Sequence, residues 1–446
     1  MADRRRRLKH WGWGYEDQQR PQAEVEQAAA GIRQMFGFGG EAVPAVPLDQ
    51  AGIRAARLKP PAGGLFTDDL HERAVHGLGK AYRDVVRGHR GEFSYPPDLV
   101  AFPKDEAGVE QVFERASDWG AAVIPFGGGT SVVGGIEPRL EDADRATISL
   151  DLGGLDSVFE VDAESLAARI GAGMKGPALE DRLREEGLTL RHYPQSFEYS
   201  TLGGWIATRA GGHFATGETH IDDLVESVRA ITPSGEWQSR RLPGSGAGPS
   251  PDRMLIGSEG TLGVITEAWM RIRPRPVFKA SATVEFEGFA AAAAGAVREI
   301  AQSRLGPSNC RLIDPLEAAT MGAGDGSATL LLLGFESADV PVGRLLEQAI
   351  EIATERGGKV AARRVVEPDG SDRSGEGAGN SGADLWRNAF LMAPYLRDTF
   401  VSCGVLSETF ESAITWDRFE EFHAEVDRAT RSAVAEVCGS PAEGEG

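Results

Sequence analysis

Cysteine is scarce: Cys310, Cys403 and Cys438 are the only three in 446 residues, and no two stand close together. With no CxxC, neither a zinc ribbon nor a disulfide framework is supported. The count fits a reducing compartment, so a cytoplasmic protein is expected. No run of about 18 apolar residues exists, which excludes an expected membrane-spanning helix. The start is basic, from Arg4 to His10, but lacks the apolar core of a secretory signal. The Arg4–Arg7 run reads as a solvated tail, with peripheral docking on a phospholipid surface as the sharper alternative. Positive charge is also in short supply. Lys and Arg number 47 against 67 Asp and Glu, a net charge of −20, which argues against nucleic acid as a partner. The eight histidines are scattered. His71 and His76, five apart on a stretch of helical pattern, do not share a face, so no metal site is expected. No internal repeat is evident.

What is present is glycine in organised clusters. Ala121–Ile124 reads as a buried strand that ends at Pro125 and runs into Gly127-Gly128-Gly129, with Thr130 and Ser131 behind. Consecutive glycines let backbone N–H groups converge on an anion, and the hydroxyls add donors. The pattern is neither GxGxxG nor a Walker A loop. Taken alone, a plain glycine-rich turn serves equally well. Two more small-residue stretches follow, Pro194–Gly212 and Ile256–Thr266.

Around these clusters the periodicity predicts alternating elements. A helix over 22–36 turns Val25, Ala29, Ile32 and Phe36 to one face and stops at Gly37-Phe38-Gly39-Gly40. A charged stretch, 68–86, reads as one helix. A strand at 99–102, a helix at 105–120 and the strand before the glycine loop form an α/β unit. Strands follow at 147–152, 158–161 and 166–170, then a helix at 175–186. A helix over 201–209 opens on small residues, and its N-terminus is expected to direct free N–H groups at an electron-rich ring edge. A hairpin spans 224–240, residues 243–251 form a loop, and a strand runs over 263–272. Beyond the linker 273–276 come a strand at 281–286, an alanine-rich helix at 289–302, strands at 311–314 and 329–335, and a helix at 342–356. That order predicts a second, mixed sheet. The Gly/Ser/Asp/Glu stretch 367–383 reads as a surface loop. A helix at 385–400, a strand at 405–410 and a helix at 416–437 complete the chain. The expectation is an α+β protein in three parts: an N-terminal helical arm (1–92), a ligand-binding domain (93–276) and an α+β cap (277–446).

The three loops, in this order, resemble the FAD-binding domain of the vanillyl-alcohol oxidase/p-cresol methylhydroxylase superfamily of FAD-linked oxidases. The resemblance implies its two-subdomain FAD-binding fold with a cap domain. Further stretches resemble the alkylglycerone-phosphate synthase family rather than the lactate and glycolate dehydrogenases. They are Trp11-Gly12-Trp13-Gly14-Tyr15, Arg311-Leu312-Ile313-Asp314, Tyr395-Leu396-Arg397-Asp398, and Glu408 through Trp416-Asp417. The likeness thus covers nearly the whole chain.

By that resemblance FAD is held non-covalently by four groups of residues. The first is Pro125, Phe126, Gly127, Gly128, Gly129, Thr130 and Ser131. The second is Gln195, Ser196, Phe197, Glu198, Tyr199, Ser200 and Thr201. The third is Thr208, Arg209, Ala210 and Gly211, and the fourth is Glu259, Gly260, Thr261, Leu262, Gly263, Val264 and Ile265. Position 211 is usually serine in the family; glycine keeps the backbone donor and loses a hydroxyl. Arg397 would face the acyl carboxylate, and Arg311 would support the flavin and the active site. On residue chemistry alone, either arginine serves as well in an ion pair with Asp398 or Asp314.

The implied reaction exchanges the acyl chain of acyl-dihydroxyacetone phosphate for a fatty alcohol, without net oxidation. Small lipid substrates and a homo-oligomer are expected. The family's catalytic tyrosine and histidine triplet lie beyond the last residue here, so a C-terminally shortened member is expected. His192, beside Pro194, is a candidate replacement acid or base, although a core histidine is the plainer reading. A flavin-dependent 2-hydroxy-acid dehydrogenase and a non-catalytic flavin-binding subunit remain as alternatives.

Overall fold

The computed structural model describes residues 6–439 except 215, 217–219, 243–245, 247, 289–290, 321 and 370–381. The expectations for Arg4, for Phe289, for part of the loop 243–251 and for most of 367–383 therefore lie outside the described residues.

The first sheet forms where the sequence places its α/β unit. The helix Glu106–Trp119 opens on Asp105, whose carboxylate accepts the Gly108 N–H at 2.9 Å, and closes on Gly120 in the left-handed region at φ 62°. Val109 and Val112 on its inner face are fully buried. The helix links two parallel strands, Leu99–Ala101 and Ala122–Phe126. Both pair with Thr147–Asp151, which lies between them, and Phe66–Thr67 adds an antiparallel edge. The order brings the C-terminal end of Ala122–Phe126 to the glycine loop, where a ligand crevice is expected in such a sheet.

The second sheet is antiparallel, in the order Val158–Asp162, Ala167–Gly171, Val264–Arg271, Val225–Thr232, Gly235–Gln238. It packs on the helices Gly176–Arg184 and Leu202–Thr208 through Leu179, Leu183, Leu202, Trp205 and Ile206. The third sheet, of the cap, runs Asn309–Ile313, Thr329–Ser337, Phe278–Phe286, Lys359–Val366. Every neighbouring pair in it is antiparallel, so the expected mixed sheet is corrected. The helices Ala291–Gln302 and Gly343–Glu355 cover one face through Ile300, Leu346 and Ala349. No helix among the described residues is long and apolar enough to cross a membrane.

Three further expectations change. The stretch 68–86 is two helices, Leu70–Val75 and Tyr82–His89, not one. The break falls at Gly79, where a Cβ would lie 2.4 Å from the Ser131 carbonyl oxygen, and Lys80 N–H donates to that oxygen at 2.7 Å. The chain bends there to dock on the glycine loop. Residues 405–410 are not a strand. Val405 caps the preceding helix by donating to the Phe400 carbonyl, and Leu406 and Phe410 are largely exposed beside no partner strand. Lys359–Val366 is a strand that periodicity passes over. Its residues Lys359, Arg363 and Arg364 break the apolar alternation because it lies at the edge of its sheet.

Asp98 fixes the entry to the first sheet. Its fully buried carboxylate accepts from Arg54, Arg57 and the backbone N–H groups of Arg57 and Thr147, at 2.5–3.2 Å. Burial alone would raise this carboxyl; the hydrogen bonds from Arg57, Arg54 and the two amides together outweigh it and hold it far below the usual range. A depressed carboxyl adds stability that is present above the unfolded value of about 4 and lost as pH falls below it. Asp98→Asn should therefore cost on the order of 3 kcal/mol in urea unfolding at pH 7. The gap from the unsubstituted protein should narrow as the titrations are repeated toward pH 3.

Candidate cofactor and substrate sites

The three glycine-rich loops converge on a cleft of about 320 Å³. The first contributes Pro125 to Val133, the second Ser196, Ser200, Thr201, Thr208 and Ala210, and the third Glu259, Gly260 and Gly263 to Ile265. Glycine is required here for two different reasons. A Cβ on Gly128 would lie 2.0 Å from the Tyr199 carbonyl oxygen, and one on Gly127 would lie 2.4 Å from Thr201 Oγ1. The first two glycines thus let one loop pass against the backbone of another. Gly129 instead takes φ 67°, which L side chains rarely adopt.

The cleft suits a ligand carrying an anion. Among the described residues, the N–H groups of Gly127, Gly128, Gly129, Thr130 and Ser131 make no hydrogen bond, which leaves five successive donors on one short turn. Ser131 Oγ accepts from Gly135 N–H at 3.1 Å and so fixes the far end of the turn. The helix Leu202–Thr208 behaves otherwise than expected. Its leading N–H groups are already used: Leu202 donates to Met174 O at 2.9 Å, Gly203 to Ala172 O at 2.8 Å, and Gly204 to Thr201 Oγ1 at 3.3 Å. The helix start is tied to the neighbouring sheet and offers no free donors to a ring.

The remaining expected contacts divide. Gln195, Phe197, Glu198, Tyr199, Arg209, Gly211, Thr261 and Leu262 do not line the cleft. Tyr199 hydrogen-bonds Tyr395 at 2.7 Å, and Tyr395 in turn donates to Glu198. Arg209, left-handed at φ 53°, pairs with the buried Asp222 at 3.0 Å. Glu259 does line the cleft, left-handed at φ 54°, and burial pushes its carboxyl up. Val132 and Val133, which the sequence reading passed over, also line it and are largely exposed. Their signal was two apolar side chains immediately behind a polar turn.

A second cavity, of about 630 Å³, lies between the second loop and the cap sheet. Tyr193, Phe197, Phe214 and Phe335 give it apolar walls, and Arg191, Arg275, Lys279 and Arg364 bring positive charge. Arg191 pairs with Glu336 and stands 3.9 Å over the Phe214 ring, and Arg275 pairs with Glu180 at 3.0 Å. His213 lines the same cavity, with Nε2 3.3 Å from Asn309 Nδ2. Sequence spacing gave no sign of it, because its partner lies on a cap strand. Arg311 reaches this corner, with Nη2 3.4 Å from the His213 carbonyl oxygen.

His192 lies outside both cavities, buried against Trp205 at 5.2 Å between ring centroids. Desolvation, helped by His220, pushes it down to about 4. Arg397 lines neither cavity. It donates to the Lys80 carbonyl at 2.8 Å and stands 3.6 Å from Glu408, so its carboxylate partner is not Asp398.

Known proteins fit this geometry. Residues 97–240 match the family model described as FAD binding domain, and residues 275–440 match FAD linked oxidases, C-terminal domain. The two matched domains are those of the FAD-linked oxidase class, and FAD is their cofactor.

Within that class it is similar to alkyldihydroxyacetonephosphate synthases. The one from Dictyostelium discoideum is 39% identical over 254 residues, 56% of this chain and 40% of the relative. The one from Caenorhabditis elegans is 32% identical over 375 residues, 79% of this chain and 61% of the relative. A solved alkyldihydroxyacetonephosphate synthase superposes with a TM-score of 0.80 at 26% identity, covering 96% of this chain and 84% of the other. The chain spans about 40–61% of the length of these curated relatives.

Two outcomes are expected. Gly128→Ala, which puts a methyl into the Tyr199 carbonyl, should cost at least about 1–3 kcal/mol and leave the purified protein short of FAD by absorbance. Gly31→Ala, in a helix with open space around it, should leave both unchanged. The His192 ring should stay neutral from pH 8 down to pH 5, with no titration of its ring protons by NMR. A lowered histidine of this kind contributes stability that is complete above about pH 6.5 and declines as pH falls toward 4.

Proposed function

We propose that the protein is an FAD-dependent transferase of the alkylglycerone-phosphate synthase type. It exchanges the acyl chain of acyl-dihydroxyacetone phosphate for a fatty alcohol in ether lipid synthesis. The observation that carries the reading is the likeness to a solved alkyldihydroxyacetonephosphate synthase over 96% of this chain. The cap cavity supports it chemically, since aromatic walls receive an alkyl chain and cationic side chains receive a phosphate or a departing carboxylate.

In this reading, the five amides of Gly127–Ser131 hold the diphosphate of FAD, and the cleft beside Thr201 and Glu259 holds the rest of the cofactor. When bound, the flavin supplies a ring nitrogen whose chemistry permits the exchange with no external electron acceptor. The chain's own residues position the substrate. Lys279 and Arg364 meet the phosphate, Tyr193, Phe197 and Phe214 exclude water along the chain, and Arg311 steadies the His213 corner. Arg397 acts indirectly, by tying the helix Gly382–Ser402 to Lys80. The three unpaired cysteines suit a cytoplasmic setting, and a homo-oligomer with peripheral membrane contact completes the proposal.

The test is product analysis by mass spectrometry. FAD-loaded protein given acyl-dihydroxyacetone phosphate and a labelled fatty alcohol should yield a labelled ether and free fatty acid in equal amounts, without an oxidant. Absence of the ether, together with bleaching of the flavin by 2-hydroxy acids, would replace the proposal with a dehydrogenase.

A further inference from the structure

Beside the first glycine loop, two ammonium groups, those of Lys9 and Lys80, act on one buried carboxylate, Asp398. That carboxylate is occupied. It accepts the Trp13 N–H at 3.1 Å and pairs with Lys9 Nζ at 3.4 Å. A Cβ on Gly12 would lie 2.5 Å from it, so the N-terminal turn is closed down on this group. The other charges nearby are also matched. Arg397 faces Glu408 at 3.6 Å, Arg87 pairs with Glu137 at 2.5 Å, and Asp84 lies 3.4 Å from Arg87 and 3.6 Å from Arg83. Among the described residues, this leaves the Lys80 ammonium with neither an ion pair nor a hydrogen bond.

Its position says what it awaits. Lys80 lines a small cavity together with Gly128, Gly129 and Thr130 of the loop and with Gly12, Trp13 and Phe126. The Lys80 N–H donates to Ser131 O at 2.7 Å, which registers the lysine against the loop. A cation without a counter-charge is costly inside a protein, and the cost is removed when an anion arrives. The same turn carries the five unused amides of Gly127–Ser131.

We propose that the Lys80 ammonium is the counter-charge for the diphosphate of bound FAD, acting from behind the glycine loop. This rests on the reading that FAD occupies the three-loop cleft. Lys80 adds charge where the amides supply only dipoles, and it ties cofactor binding to the N-terminal arm that packs over it. Desolvation, only partly offset by Asp398 and Asp84 and reinforced by Lys9, pushes Lys80 down to about 8. A bound diphosphate holds the proton on.

The experiment is calorimetric titration of flavin-stripped full-length protein with FAD and, separately, with riboflavin, which has the same ring and no phosphate. The unsubstituted protein should bind one FAD per chain; failure to do so removes the FAD reading itself. In Lys80→Met the FAD Kd should rise at least about tenfold, riboflavin affinity should not change, and Lys80→Arg should restore FAD affinity to within about threefold. Unchanged FAD affinity in Lys80→Met would overturn the proposal, as would equal weakening of FAD and riboflavin, which marks a packing role. Should Lys80→Met not fold, the unsubstituted protein decides: its FAD affinity should fall above about pH 8 while riboflavin affinity holds, and a flat profile to pH 9.5 overturns the proposal.

Discussion

The site depends on one close approach. The first glycine loop crosses the second so tightly that Gly128 meets the Tyr199 carbonyl and Gly127 meets the Thr201 hydroxyl. No side chain fits between them. The first loop ends a strand of the first sheet, while the second leads into a helix packed on the second, antiparallel sheet. Their contact therefore joins two separately organised cores at the point where the three-loop cleft opens. Because both partners at the crossing are backbone, its geometry cannot relax by rotamer change, and the cleft inherits that stiffness.

Much of this was legible in the sequence. The helix Glu106–Trp119 was legible between Asp105 and Gly120, because capping and periodicity are local. The three loops were legible as small-residue runs, and FAD entered through their resemblance, taken together, to a known FAD-binding domain. Local signals could not show which N–H groups remain available. The start of Leu202–Thr208 looked like a set of free donors, but its amides meet Met174 and Ala172, whose carbonyls are brought there by tertiary packing. Conversely, the loop's own amides stay unbonded while those of the helix start are engaged.

The same division explains the side chains. Arg397 was expected to face a substrate, with Asp398 as its plainer partner. In the fold the two residues go different ways, Arg397 to Glu408 and Lys80, and Asp398 to Lys9 and Trp13. Adjacent residues on a helix point about 100° apart, so the nearest carboxylate in sequence was a poor guide. His213 and Asn309 meet across 96 residues, and no spacing rule connects them. Long-range pairs of this kind make up the cap cavity, which is why its cationic and aromatic lining emerged only with the fold.

The edge strand Lys359–Val366 has a consequence of its own. With one neighbouring strand among the described residues, it leaves a row of backbone donors and acceptors open to another chain's β-strand. Lys359, Arg363 and Arg364 stand along that row, and a second copy laid beside it would set like charges against each other. The cationic residues that concealed the strand from its sequence pattern thus also disfavour the addition of another strand at this edge.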